Sequence, residues 1–160
     1  MPAEGIPQIN LGPGAAEGLR VAVISAQWNA EITDKLHAEA ITAARELGAS
    51  VEDWRVAGAL ELPVVVAAAC KNFDAVIATG CVIEGETEHF RVVCDAVTYG
   101  LTRVGLDTGV PIGNGVLTVD NHQQAVDRAG GPGAKENKGA DSATAAIHAA
   151  LVLRQIAAVG

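Results

Sequence analysis

The stretch GCVIEGETEHF, residues 80–90, decides the fold that this chain is expected to adopt. An apolar run precedes it and an apolar pattern of helical period follows it, which indicates a strand, a turn and a helix. The turn places Gly85, Glu86 and Thr87 at the helix start, with His89 just inside. Unpaired backbone N–H groups make such a start an anion site, and a histidine beside it can move protons near neutral pH. The stretch therefore predicts a site for a phosphorylated small substrate.

Size and composition narrow the class of protein. A chain of 160 residues argues for one domain, and with only 3% aromatic residues its core must be built from Ala, Val, Leu and Ile. A net charge of −8 disfavours nucleic acid as a partner. Neither a membrane span nor a signal peptide is recognisable, so we expect a soluble cytoplasmic protein. Three cysteines without CxxC spacing argue against disulfides and zinc, and favour small buried hydrophobic side chains.

Strand and helix patterns alternate along the chain. Strands are predicted at residues 19–25, 51–56, 75–82 and 112–119. Helices are predicted at residues 31–47, 62–71, 90 to near 109, 123–129 and 140–158. The alternation indicates an α/β fold, a three-layer α/β/α sandwich with a four-stranded parallel sheet of flavodoxin-like type. Residues 1–18 are predicted to be a flexible N-terminal tail, and residues 19–160 a single domain.

In parallel sheets the ligand crevice lies beyond the carboxyl ends of the strands. Trp28 and Asn29 follow the first predicted strand, residues 58–61 follow the second, and residues 80–89 follow the third. Asn114 lies within the fourth, and Arg128 and Lys138 flank the glycine-rich break near residue 130. Most of these positions therefore share one rim of the sheet.

Each candidate also has an ordinary structural interpretation. His89 could be a capping or surface histidine, and Trp28 could be a core residue. Glu61 and Arg128 could serve only to interact with helix dipoles. Cys81 is an unlikely nucleophile, because nothing near it in the sequence lowers its pKa. The other histidines are His37, His122 and His148. They have no candidate site residues beside them in the sequence, and we expect them to be solvated.

Five sequence blocks resemble the lumazine synthase family. They are AQWNAEIT at residues 26–33, GALELP at 58–63, GCVIEGETEHF at 80–90, NGVLT at 114–118 and DRAGGPGAKENKG at 127–139. Their order and spacing together make the resemblance specific. It implies condensation of 5-amino-6-ribitylaminouracil with 3,4-dihydroxy-2-butanone 4-phosphate to 6,7-dimethyl-8-ribityllumazine, phosphate and water, with no cofactor or metal.

The resemblance also implies a role for each matching position. On the pyrimidine side, Trp28 would stack on the ring, and the ribityl and uracil contacts would come from Ala59, Leu60, Glu61, Cys81, Val82 and Ile83. On the phosphate side, the loop would be formed by Gly85, Glu86 and Thr87, with His89 transferring protons. A neighbouring subunit would supply Asn114, Arg128 and Lys138, with Arg128 on the phosphate.

Two departures from the family pattern matter. Glu84 and Arg91 stand where opposite charges are usual, which suggests a swapped ion pair between them. The break at residues 130–137 is longer than in shell-forming members, which favours a homopentamer. The main alternative function is a non-catalytic riboflavin- or flavin-binding protein on the same fold, since flavodoxin-like sheets hold flavin at this rim.

Overall fold

A computed structural model describes residues 4–160 of the chain; residues 1–3, the start of the predicted tail, lie outside the described residues. Its strands are β1 Arg20–Ala26, β2 Ser50–Val56, β3 Ala75–Ile83 and β4 Ile112–Val119. Its helices are α1 Ala30–Glu46, α2 Leu62–Ala69, α3 His89–Thr108, α4 His122–Arg128 and α5 Lys138–Ala157, with a short 3-10 helix at Ala59–Glu61. The strands form one parallel sheet in the order β2-β1-β3-β4, which confirms the predicted sheet.

The central strands are apolar on both sides because helices cover both faces of the sheet. Val21 and Val23 of β1 pack in a cluster with α1 and α5. Ala22 and Ile24, the alternate residues of the same strand, pack in a second cluster with α2 and α3. The predicted three-layer α/β/α arrangement is therefore confirmed.

One edge of the sheet is less covered than its centre. Along β4, Gly113 and Gly115 are buried, whereas Asn114 and Thr118 are exposed. A groove of about 760 Å³ runs beside this strand between α3 and α5, and Asn114 and His148 lie in its lining. On the face of β4 that bears Asn114 and Thr118, Ile112 and Val116 are only partly buried against the core, so this side is incompletely covered within the chain.

Helices α1 and α5 approach each other closely at Gly139, in the first turn of α5. A β-carbon at this position would collide with the Leu36 carbonyl oxygen and lie 3.2 Å from the Ala40 nitrogen. Only glycine fits there without displacing one helix. This contact sets where the residues just before Gly139 lie relative to the sheet.

A buried polar network joins α1 to three strands. The Ser25 hydroxyl lies 2.5 Å from His37 Nδ1 and 2.6 Å from Thr79 Oγ1, and His37 Nε2 lies 2.8 Å from Asp53 Oδ2. His37 is only 9% exposed, so the prediction that it is solvated was wrong. It adjoins Leu36 on the helix face that turns toward the sheet, where Ser25 and Thr79 supply polar partners. The predictions for His122 and His148 were right, because both are exposed.

Part of the predicted tail packs on the domain. Residues 13–18 form turns, and Ala16 is fully buried in the cluster beneath α1 and α5. The Ala16 N–H donates a hydrogen bond to the Leu47 carbonyl at 2.8 Å. Among the described residues, no helix is both long and apolar enough to cross a membrane.

Candidate active site

A cleft of about 440 Å³ lies beyond the carboxyl ends of β1, β2 and β3. The strand order reverses between β1 and β3, which is the position where doubly wound sheets bind ligands. The cleft brings together ten of the residues predicted from the sequence. They are Trp28, Ala59, Leu60, Glu61, Cys81, Val82, Ile83, Gly85, Thr87 and His89.

Trp28 lies at the mouth of the cleft and is not a core residue, because it is 73% exposed. Its N–H donates to the Ala57 carbonyl at 3.2 Å, which anchors the loop to the end of β2. The next residue, Asn29, has a φ of 58°, a left-handed conformation that asparagine tolerates better than most residues. Asn29 Nδ2 donates to the Cys81 carbonyl at 2.9 Å and so ties this loop to β3. The indole is thereby held exposed at the mouth of the cleft.

Cys81 forms part of the floor of the cleft and is 4% exposed. Burial raises the pKa of its thiol to about 11. The thiol is therefore protonated at neutral pH, and a thiol is a far weaker nucleophile than a thiolate. The environment of Cys81 suits packing against a ligand and not covalent catalysis.

Glu61 makes a structural hydrogen bond and also lines the cleft. Its Oε2 accepts a hydrogen bond from the Gly58 N–H at 3.0 Å, which caps the short 3-10 helix. The carboxylate also lines the cleft, where its second oxygen can accept hydrogen bonds from hydroxyl groups of a ligand.

The loop before α3 presents backbone donors to one end of the cleft. The N–H groups of Gly85, Glu86 and Thr87 make no hydrogen bond within the described residues. The Thr87 hydroxyl accepts weakly from the His89 N–H at 3.4 Å, and His89 is the first residue of α3. Unpaired donors just before a 20-residue helix, with an imidazole nearby, are an arrangement that suits an anion.

Four predicted residues do not line this cleft in the single chain. Glu86 is exposed on the loop beside it, and Asn114 lies in the groove along β4. Arg128 is the last residue of α4, where its Nη1 donates to the Gln124 carbonyl at 2.9 Å. Lys138 is the first residue of α5. The chain thus separates Asn114, Arg128 and Lys138 from the cleft that holds Trp28 and His89.

The suggested ion pair between Glu84 and Arg91 was wrong. Arg91 Nε lies 3.6 Å from Glu88 Oε2, three residues earlier along the helix, and within the described residues no Glu84 oxygen comes within 4 Å of it. Residues three apart in a helix are surface neighbours, so Glu88 is the nearer partner. Glu84 instead continues β3, where its N–H donates to the Val119 carbonyl at 2.9 Å.

Several lining residues were not among the candidates. They are Asn29, Ala57, Gly58, Phe90 and Val93. The sequence carried a signal for some of them. Val93 lies four residues after His89 and so shares its helix face. Asn29 and Gly58 were placed at this rim by the sequence, but neither was given a role in binding.

Comparison with known proteins shows which family this chain resembles over most of its length. The family model of 6,7-dimethyl-8-ribityllumazine synthase matches residues 18–154. The 6,7-dimethyl-8-ribityllumazine synthase of Corynebacterium urealyticum is 97% identical over 160 residues, which is the whole of both chains. Proteins of the same name from Corynebacterium jeikeium and Mycobacterium avium are 71% and 49% identical, each over 98% of both chains.

Proposed function

Since the chain belongs to the 6,7-dimethyl-8-ribityllumazine synthase family, we propose that it condenses 5-amino-6-ribitylaminouracil with 3,4-dihydroxy-2-butanone 4-phosphate in riboflavin biosynthesis. As a member of this family, the chain is a transferase. The reaction forms a carbon–nitrogen bond, eliminates phosphate and closes a ring with loss of water. Each of these steps moves protons, and the substrates are flat at one end and anionic at the other.

The observation that carries the proposal is a single cleft lined by an exposed indole and a histidine, with unpaired backbone N–H groups at one end. Trp28 would stack on the pyrimidine, because an exposed aromatic ring gains both area and stacking from a flat ligand. Glu61 would accept ribityl hydroxyls, while Val82 and Ile83 would contact the uracil edge. The phosphate would bind the N–H groups of residues 85–87.

His89 is the proposed proton-transfer residue. Its ring lines the cleft and makes no hydrogen bond within the described residues, so both nitrogens are available to substrate. A positioned acid or base contributes ~10²–10⁴-fold to a proton-transfer step. Holding two substrates together makes a further large contribution that does not need the imidazole. Loss of His89 should therefore slow the reaction without abolishing it.

The deciding experiment mixes the protein with both substrates and follows lumazine absorbance against a protein-free control. We expect catalysis by the wild type and a decrease in kcat of ~10²-fold or more in His89→Ala. His122→Ala is the matched control, because His122 is exposed and lies outside the cleft. No acceleration, together with tight riboflavin binding, would favour a flavin carrier over an enzyme.

We also propose that each site is completed by a neighbouring subunit, which supplies Asn114 to the aminouracil and Arg128 and Lys138 to the butanone phosphate. The proposal is supported by their separation from the cleft within one chain and by the apolar groove along β4. Exposed apolar side chains such as Val64, Val92 and Tyr99 also favour association. A His89→Ala subunit mixed with an Arg128→Ala subunit should regain activity at mixed interfaces after subunit exchange. No recovery after verified exchange would contradict a shared site.

The proposed assembly is a homopentamer. The segment at residues 130–137 that favours it folds back on α4, where the N–H groups of Lys135 and Glu136 both donate to the Asp127 carbonyl at 2.9 Å. Hydrogen bonds from Lys135 and Gln123 hold the pKa of the Asp127 carboxyl below its ordinary value. Sedimentation should show a species of five chains, and a particle of megadalton size would overturn the proposal.

A cytoplasmic location completes the proposal. Its support is the chemistry of the three cysteines, Cys70, Cys81 and Cys94, which are all free thiols. Fractionation of cells producing the protein should recover the lumazine-forming activity in the cytoplasmic fraction, and recovery from the medium would contradict this location.

A further inference from the structure

A buried carboxylate lies between two cations that the proposed function assigns to phosphate binding. Glu136 Oε2 lies 3.4 Å from Arg128 Nε, and Glu136 Oε1 lies 3.3 Å from Lys138 Nζ. The Glu136 side chain is only 8% exposed, against 35% for Arg128 and 28% for Lys138. One carboxylate therefore lies close to both cations, with one oxygen near each of them, and it is more deeply buried than either cation.

The backbone holds this carboxylate in place. The Glu136 N–H donates to the Asp127 carbonyl at 2.9 Å, and the Glu136 carbonyl accepts from the Gly130 N–H at 3.1 Å. Asn137, the next residue, accepts from the Ala140 N–H and caps α5. Glu136 is thus attached to the end of α4 on one side and to the start of α5 on the other, the two elements that carry Arg128 and Lys138.

Burying a carboxylate is unfavourable unless its charge is compensated and its oxygens have partners. Here Oε1 makes no hydrogen bond within the described residues, although the Lys138 ammonium lies close to it. The carboxylate therefore depends on the two cations for its stability. Such an arrangement is unfavourable for folding alone, and is better explained by what it does to the cations.

The contacts also orient the guanidinium of Arg128. Its Nε faces Glu136 and its Nη1 donates to the Gln124 carbonyl, so two of its three nitrogens are held by the protein. The third nitrogen, Nη2, makes no hydrogen bond within the described residues. A guanidinium fixed in this way presents a defined set of donors to an anion and loses less conformational freedom when it binds.

We infer that Glu136 is a positioning residue for the phosphate of the four-carbon substrate, which it serves by holding Arg128 and Lys138 in a fixed mutual geometry. The inference rests on the proposed function, because it requires these two cations to bind that phosphate. It makes a prediction opposite to that of simple electrostatics. Removing a negative charge beside two cations should attract phosphate more strongly, whereas loss of a positioning group should weaken its binding.

The test is Glu136→Gln, which keeps the shape of the side chain and removes its charge. We expect the KM for the butanone phosphate to rise about tenfold, the scale of one charge-assisted hydrogen bond, with the KM for the aminouracil unchanged. Inorganic phosphate should become a weaker competitive inhibitor by a similar factor. An unchanged or lowered KM for the butanone phosphate would overturn the inference.

Three further variants distinguish failure of the inference from failure of the proposed function. Asp141→Asn is the matched control, because it removes a negative charge 3.9 Å from Lys138 without contacting Arg128, and its KM values should stay close to wild type. If Arg128→Ala leaves the KM for the butanone phosphate unchanged, the proposed function of Arg128 fails. If Arg128→Ala raises it and Glu136→Gln does not, only the inference fails. Should Glu136→Gln not fold, Glu136→Asp retains the charge at a shorter reach and must show the same selective rise in KM.

Discussion

Replacing His37 with leucine tests the buried network that joins α1 to the sheet. A neutral imidazole with its hydrogen on Nε2 satisfies every group in that network. Nε2 donates to Asp53, Nδ1 accepts from the Ser25 hydroxyl, and Ser25 accepts from the Thr79 hydroxyl. Leucine fills a similar volume, so the change removes hydrogen bonds and leaves little cavity.

The magnitude follows from which groups lose partners. Ser25 and Thr79 are both fully buried, and without His37 one hydroxyl hydrogen of this pair has no acceptor, a loss of ~1–3 kcal/mol. The Asp53 side chain is 45% exposed, so water replaces its lost donor and the loss there is small. We therefore expect His37→Leu to lower the free energy of unfolding by ~2 kcal/mol, about 4–8 °C in Tm for a domain of this size.

The assay is denaturant unfolding of His37→Leu, Ser25→Ala and the double variant at one fixed protomer concentration, since association alters apparent stability. Replacing both partners by apolar groups is less unfavourable than leaving one of them unpaired. The free energy of unfolding of the double variant should therefore exceed, by ~1 kcal/mol or more, the value obtained by summing the effects of the two single changes. His122→Leu, at an exposed site, is the control. Additive effects to within ~0.5 kcal/mol would refute the network as a coupled unit.

Three other outcomes follow from the packing and electrostatics. Gly139→Ala should lower the free energy of unfolding by ~1–3 kcal/mol through the collision with Leu36, whereas Gly12→Ala meets open space and should not; equal midpoints would contradict this. Because burial raises the pKa of Cys81 from its ordinary value of 9.0 to about 11, the unfolded chain loses this proton first as pH rises. Stability should then fall between these two pH values by up to ~3 kcal/mol, and Cys81→Ala should flatten the fall; an unaltered slope would count against the shift. Trp28→Ala should raise the KM for the aminouracil about tenfold while Trp28→Phe largely preserves it, and equal effects of both variants would argue against stacking.

Much of the fold could be predicted because the information for each element is local. Apolar runs such as β3 and the helical period of α3 do not depend on the rest of the chain, and both were predicted to within two residues. Parallel alternation then placed the strand ends at one rim. The residues that directly follow those ends, from Trp28 to His89, could therefore be grouped in one cleft before any coordinates were known.

The remaining features depend on distances between segments far apart in sequence. The burial of His37 follows from which face of α1 meets β1, and no periodicity of α1 alone reveals Ser25 and Thr79 beneath it. Arg91 lies beside Glu88 because Glu88 is the N-cap residue of α3, three residues before it, whereas Glu84 is held as a continuation of β3. The sequence alone thus determined the layers of the fold, the rim that holds the cleft and the chemistry of the cleft residues, because each depends on local patterning. Only the tertiary structure decided that Arg128 and Lys138 share the buried Glu136 away from that cleft, because packing of α4 and α5 sets their spacing.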